Sequence, residues 1–337
     1  MKRIFIYCNH TLDQEKFDKF ILNKPVFNDI IFEQIPKDIS NNDIFEFLIK
    51  NKAWSLLHKN EHGSLHCTKE WITLTNKCLD HKIPVLSFDL GYFDHYKSFM
   101  VDFYLKDCQS SIQDQWKIIP STIHEEKFPD YIRNHFNNIT NKVNFYKSEP
   151  PPLNLKNIVV IWGQWSTDLI KNCFILNEKS NKIIMSEWLE KLVILIKENG
   201  FTPIIKISPV KNFQHYQNVK NQSAIFVDKK QHLQEFPEGH YLDDINAQLI
   251  AHAKYHIINC SSISNELLIN NCKVIAMGKS WFNDLGIFYE PTNWSDIFNY
   301  SDLSVDNKNK WINWWIERQC EPLNLPEKII ELRNSII

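Results

Sequence analysis

The sequence predicts an α/β protein built of two doubly wound halves, and three observations predict it. Short apolar runs alternate with amphipathic stretches along most of the chain, the pattern of βαβ units feeding a parallel sheet. The pattern breaks at K-S-E-P-P-P-L-N-L-K (147–156), where three consecutive prolines exclude a helix or a central strand and read as a semi-rigid hinge. A length of 337 residues favours two domains over one. The expected organisation is an α/β domain over 1–146, the hinge over 147–156, a second α/β domain over 157–308, and C-terminal helices over 309–337 that pack back on the domains.

The elements follow in order. Arg3 to Cys8 is a strand, Asp13 to Leu22 has a helical pattern, and so do Asn42 to Lys50 and Lys69 to Leu79. Pro84 opens an apolar run, Val85 to Phe88, which reads as a buried strand ending at Asp89. Beyond the hinge, Ile158 to Trp162 is a continuous apolar strand followed by the loop Gly163 to Asp168. Ile184 to Glu198 is amphipathic, with Gly200 placed to stop it. Pro203 to Ile207 and Ala224 to Val227 are further strands, and Asn246 to Ala253 a helix. From His256 to Gly286 the chain reads as a short buried strand, a turn of small hydroxyl residues, a helix carrying Glu266, and a strand from Val274 to Met277. The end is helical again. There Trp311, Trp314 and Trp315 fall on one helix face, suited either to packing on the domains or to peripheral contact with a membrane.

Composition narrows the function. A hydrophobic content of 43% supports a sizeable core, and a net charge of −2 gives no basic field to recruit nucleic acid. The eight cysteines are scattered, with no C-x-x-C and no zinc spacing. With no signal-peptide pattern, they read as reduced thiols of a cytoplasmic protein. No apolar run is long enough to span a bilayer. Seven glycines, and no G-x-G-x-x-G or G-x-x-x-x-G-K, argue against a dinucleotide site or a P-loop.

Ligands of open α/β sheets bind beyond the carboxyl ends of the strands. Four such ends carry suggestive residues: Asp89; Gln164 with Asp168; Lys206 with Ser208; and Ser261, Ser262 and Ser264 with Glu266. A serine turn opening a helix offers hydroxyls and free N–H groups to a phosphate, and Glu266 offers acceptors to ribose hydroxyls. The same residues also suit an N-cap with a capping-box partner.

At these residues the second half resembles the capsule polysaccharide biosynthesis family, which includes bacterial Kdo (3-deoxy-D-manno-octulosonic acid) transferases. The family pattern is Q-x-x-x-D, then K-x-H-P, then N-S-S/T-x-x-x-E-A-L, leading into V-x-x-x-G-x-x-(Y/F)-x-x-x-G-(L/I). Here these read Q-W-S-T-D (164–168), K-I-S-P (206–209), N-C-S-S-I-S-N-E-L-L (259–268) and V-I-A-M-G-K-S-W-F-N-D-L-G-I (274–287). The resemblance extends more loosely to F-D-L-G-Y-F (88–93). It implies a GT-B-like architecture, two Rossmann-type domains facing a central cleft, and CMP-β-Kdo as donor to a glycan or glycolipid acceptor. It implies Asp168 as nucleophile of a retaining transfer and Asp89 as acid/base. It also implies Gln164, Lys206, Ser208, Ser261, Ser262, Ser264 and Glu266 around the nucleotide. A CMP-sugar carries its own leaving group, and no D-x-D pair occupies a convincing loop, so metal independence is expected and no cofactor is implied. Two positions depart from the family: Ser208 stands where it has histidine, and Asp89 where a glutamate is expected. Ser208 favours the alternative of an inactive nucleotide- or glycan-binding relative. A nucleotide-sugar epimerase, also built of paired α/β domains, is the third reading.

Overall fold

The computed structural model describes residues 1–7, 26–27, 29–36, 38–40, 43–59, 69–90, 99–106, 110–163, 185–207, 219, 224–228, 240–242, 244–259, 261, 263–278 and 284–336. By contacts the chain divides into two compact units, 1–120 with 310–337, and 121–309.

The first unit begins with β1 (Lys2–Tyr7), β2 (Val26–Phe27) and β3 (Ile30–Gln34), then α1 (Ile44–Lys50), β4 (Ser55–Lys59) and α2 (Lys69–Asp80). β5 (Val85–Leu90), β6 (Phe99–Phe103) and the single turn α3 (Ile112–Gln115) follow. The second unit holds α4 (Asp130–Ser148), β7 (Ile158–Trp162), α5 (Met185–Glu198), β8 (Thr202–Lys206) and β9 (Ile225–Asp228). It continues with β10 (His240–Tyr241), α6 (Ile245–His252), β11 (Ala253–Ile258), α7 (Ile263–Ile269) and β12 (Val274–Ala276). The chain then returns to the first unit through α8 (Val305–Arg318), β13 (Gln319–Cys320) and α9 (Leu325–Ser335).

The first sheet runs β13-β6-β5-β4-β1-β3-β2. Its centre is parallel, and β2, β6 and β13 add antiparallel edges. α9 lies on one face, where Leu325, Ile329 and Leu332 join Ile4, Ile6, Leu57, Leu86 and Phe88 in one core. The opposite face meets α1 and α2 through Phe5, Leu56 and Val85. α2 presents Trp71, Leu74, Thr75 and Cys78, the i, i+3, i+4, i+7 stripe that makes this stretch helical.

The second sheet, β10-β9-β8-β7-β11-β12, is parallel throughout. Its central strands are apolar on both faces, as a sheet covered on both sides requires. α5 buries Trp188, Leu189, Leu192, Val193 and Ile196 against one face. Gly200, at φ +76°, ends that segment in a conformation that glycine adopts without strain.

The unit boundaries fall at 120/121 and 309/310, not at 147–156. The cause is α4, which packs on α6 and α7 and so belongs to the second unit. The triple proline is the exit from α4 towards β7, with Pro152 buried. From Lys310 onward the C-terminal helices belong to the first unit. Trp311, Trp314 and Trp315 are buried and pack edge-to-face or stacked on one another, so they form no membrane-facing stripe. No helix among the described residues is long and apolar enough to cross a membrane.

Candidate functional site

The order of the second sheet places β8, β9 and β10 on one side of β7, and β11 and β12 on the other. Chain direction across the sheet therefore reverses between β7 and β11. At such a switch point the connections leaving the two carboxyl ends diverge and leave a crevice in which ligands bind. In this unit the crevice is bounded by Gly163, after β7, and by Asn259 and Ser261, after β11. The ladder holds the neighbouring ends at one level. Trp162 is in register with Lys206, and Gly163 N–H donates to Lys206 O at 2.8 Å. On the other side of the switch point Met277 N–H donates to Ile258 O at 2.9 Å.

Lys206 closes β8, half-buried, and its Nζ donates to Ile207 O at 2.8 Å. Ser261 is partly exposed, and its carbonyl accepts from Ser264 N–H at 3.1 Å, which closes the first turn of α7. That turn draws Ser264 into the helix, where it is 3% exposed. Of the described serines, only Ser261 thus stays at the turn, which corrects the expectation for Ser264. Asp89 also differs from expectation. Antiparallel pairing with β6 carries β5 on to Leu90, so Asp89 lies within the strand, opposite Met100, rather than beyond it. Gln164, Asp168, Ser208 and Ser262 lie outside the described residues.

Glu266 sits in the first turn of α7, with its side chain 19% exposed. Two side chains that the sequence did not single out meet its carboxylate. Asn246 Nδ2 donates to Oε2 at 3.4 Å, and His135 Nε2 stands 3.8 Å from Oε1. They come from α6 and α4, so three helices converge on one acid. The sequence signal for His135 was the 132, 136, 139, 143 apolar stripe of α4, diluted by its asparagines, whereas Asn246 stood at the start of a helix that the sequence did show.

Polar side chains are buried at the switch point. Trp162 Nε1–H donates to His256 Nδ1 at 3.2 Å, and the rings stack at 6.0 Å. His256 Nε2 and Asn259 Oδ1, both enclosed, have no hydrogen-bond partner among the described residues. Burial holds the His256 imidazole down to about 3, so the ring is neutral. Asn259 also touches Gly278 closely: a Cβ at 278 would stand 2.9 Å from Asn259 Cβ. Among the described residues no group of three or more His, Cys, Asp or Glu side chains is placed to hold a metal ion.

The first sheet has an analogous switch point between β1 and β4, where Tyr7 and His58 are in register. There His58 stacks on Trp71 at 3.5 Å and on Tyr7 at 5.4 Å. Each unit thus ends its first parallel strand on an aromatic residue stacked against a buried imidazole across the switch point.

No protein-family model matches the sequence, and no curated protein matches it. Among solved structures, the chain is similar to the KpsC β Kdo 2,7 transferase of Thermosulfurimonas dismutans, with a TM-score of 0.53, 16% identity and 99% of each chain covered. The β Kdo 2,4 transferase of KpsC from the same organism follows at a TM-score of 0.47 and 11% identity, over 92% of this chain and 89% of that one. A UDP-GlcNAc 2-epimerase from Neisseria meningitidis, bound to UDP-GlcNAc, gives 0.36 and 10%, over 99% of this chain and all of the other. The first likeness is one of fold, and with the two parallel-rich sheets it makes this chain α/β of the GT-B kind.

Proposed function

We propose that the chain is a glycosyltransferase that takes a sugar from a nucleotide donor, CMP-β-Kdo fitting best, to a glycan or glycolipid acceptor in surface-polysaccharide assembly in the cytoplasm. The observation that carries this reading is the setting of Lys206, Ser261 and Glu266 at the carboxyl edge of one parallel sheet, around its switch point. Full-length likeness of fold to a Kdo transferase supports it, as do the sequence motifs that end on these residues.

Transfer passes through an oxocarbenium-like state, so positive charge at the anomeric carbon and negative charge on the leaving phosphate both need stabilising. Asp168 is assigned to the first, by electrostatic contact or by attack that gives a glycosyl-enzyme adduct. Ser261, Ser262, Lys206 and the amide groups of their turns are assigned to the second, together with Gln164 and Ser208. Glu266 accepts hydrogen bonds from the ribose, and Asp89 removes the acceptor's proton. The leaving group is a phosphate already activated by the nucleoside, so the reaction needs no metal. Activity unchanged by EDTA is expected. Loss in EDTA with recovery on adding magnesium would reject that part.

The deciding experiment is calorimetric titration with CMP, UDP, GDP and ADP. Selective CMP binding that weakens about tenfold in Glu266→Ala is expected. Preference for UDP or GDP would discard Kdo as the sugar, and silence with all four would turn the reading to the inactive relative that Ser208 favours.

A further inference from the structure

The geometry points to His135 as a positioning residue that holds the Glu266 carboxylate for reading the ribose 2′-hydroxyl, an inference that rests on the proposed nucleotide site. A carboxylate that reads hydroxyl groups must stay ionised and keep a fixed orientation, because the lone pairs it offers a ligand point only where the acid is aimed. On α7 alone Glu266 has several staggered rotamers. Contacts from two other helices restrict it. Asn246, in the first turn of α6, takes Oε2, and His135 of α4 faces Oε1. His135 Nε2 is enclosed by protein, and the two side chains are 20% and 19% exposed, so little solvent competes for the contact.

The backbone that carries His135 is itself fixed. Lys142 lies seven residues further along α4, on the same helix face, and pairs with Asp244 at 2.5 Å. Asp244 immediately precedes α6, which carries Asn246. The contact between α4 and α6 is therefore pinned beside Asn246 and two turns along α4 from His135. At 3.8 Å the imidazole and the carboxylate are beyond direct hydrogen-bond distance. A movement of less than an ångström closes that gap, as polar contacts in ligand-free sites tighten when the ligand arrives.

The test compares CMP with 2′-deoxy-CMP by calorimetry on the full chain and on the variants His135→Ala, His135→Gln and Glu266→Ala. The glutamine amide N–H reaches close to where Nε2 stands. Wild type is expected to prefer the ribose form by about tenfold, the worth of one hydrogen bond to a charged group. His135→Ala and Glu266→Ala should bind both forms alike, and His135→Gln should restore the preference. Thermal melting of each variant separates misfolding from loss of reading, and His135→Gln carries the test if His135→Ala fails to fold. A wild-type-like preference in His135→Ala, or its loss in a folded His135→Gln, overturns the inference while the nucleotide site stands. Absence of CMP binding in wild type removes the site and this inference together.

Discussion

His58 and His256 are enclosed in the two sheets, and burial lowers both imidazoles from the ordinary 6.5 to about 3. In the unfolded chain each takes a proton near 6.5, whereas in the folded chain neither does until about 3. Their share of stability is therefore complete above pH 6.5 and is lost progressively as pH falls towards 3. Urea unfolding between pH 6 and 4 should show a slope of about 1.4 kcal/mol per pH unit for each histidine. His58→Phe should remove one such increment and keep the stack on Trp71 and Tyr7; an unaltered slope would exclude His58 as its source. Gly278 permits a different test, since any Cβ there must displace Asn259. Gly278→Ala is expected to cost about 1–3 kcal/mol in chemical denaturation, the usual price of overpacking.

At the level of elements, the C-terminal helix α8 is anchored by a buried pair. Arg318 Nε donates to Asp102 Oδ1 at 3.3 Å, both residues being 1% exposed. Ser110, Ser111 and the Ser111 amide donate to the same carboxylate, and Arg318 also donates to Gln115. Asp102→Ala leaves the buried guanidinium with only the exposed Glu317 carboxylate, 3.1 Å from Nη1, as counter-charge, which should cost about 3–5 kcal/mol in denaturant unfolding. A loss below 1 kcal/mol would show that water enters freely. This pair spans 216 residues of sequence, so no local pattern announces it. The strands of the second half were legible, because continuous apolar runs such as Ile158–Trp162 have one use in a two-sided sheet. The end of β5 was misplaced because an acid after an apolar run looks like a strand terminus, whereas pairing with β6 extends it. α4 was missed because its asparagines have low helix propensity and packing on α6 overrides it. That Lys206 and Ser261 lie at strand ends and Glu266 at a helix start was legible, but His135 and Asn246 meet Glu266 only through tertiary packing.

For the molecule as a whole, what matters is how the chain is divided between its units. The second unit is one continuous stretch, whereas the first is assembled from 1–120 and 310–337. Fragment 1–120 lacks β13 and α9, and so loses Cys320, Leu325, Ile329 and Leu332 from a core that otherwise contains Ile4, Ile6 and Phe88. Expressed alone it should show no cooperative unfolding transition, and co-expression with 310–337 should restore one. A cooperative transition for 1–120 by itself would show that the C-terminal helices are an accessory rather than part of the core.

The discontinuity also sets a timetable. On the ribosome the first 120 residues emerge before the rest, yet must wait for β13 and α9, while the 189 residues of 121–309 pass between. At synthesis rates of roughly 5–20 residues per second that delay lasts on the order of ten to forty seconds. Throughout it the face of β1, β4 and β5 that α9 will cover is bare, so nascent chains of this protein are natural clients for holding factors, and a premature stop within α9 leaves that face exposed for good.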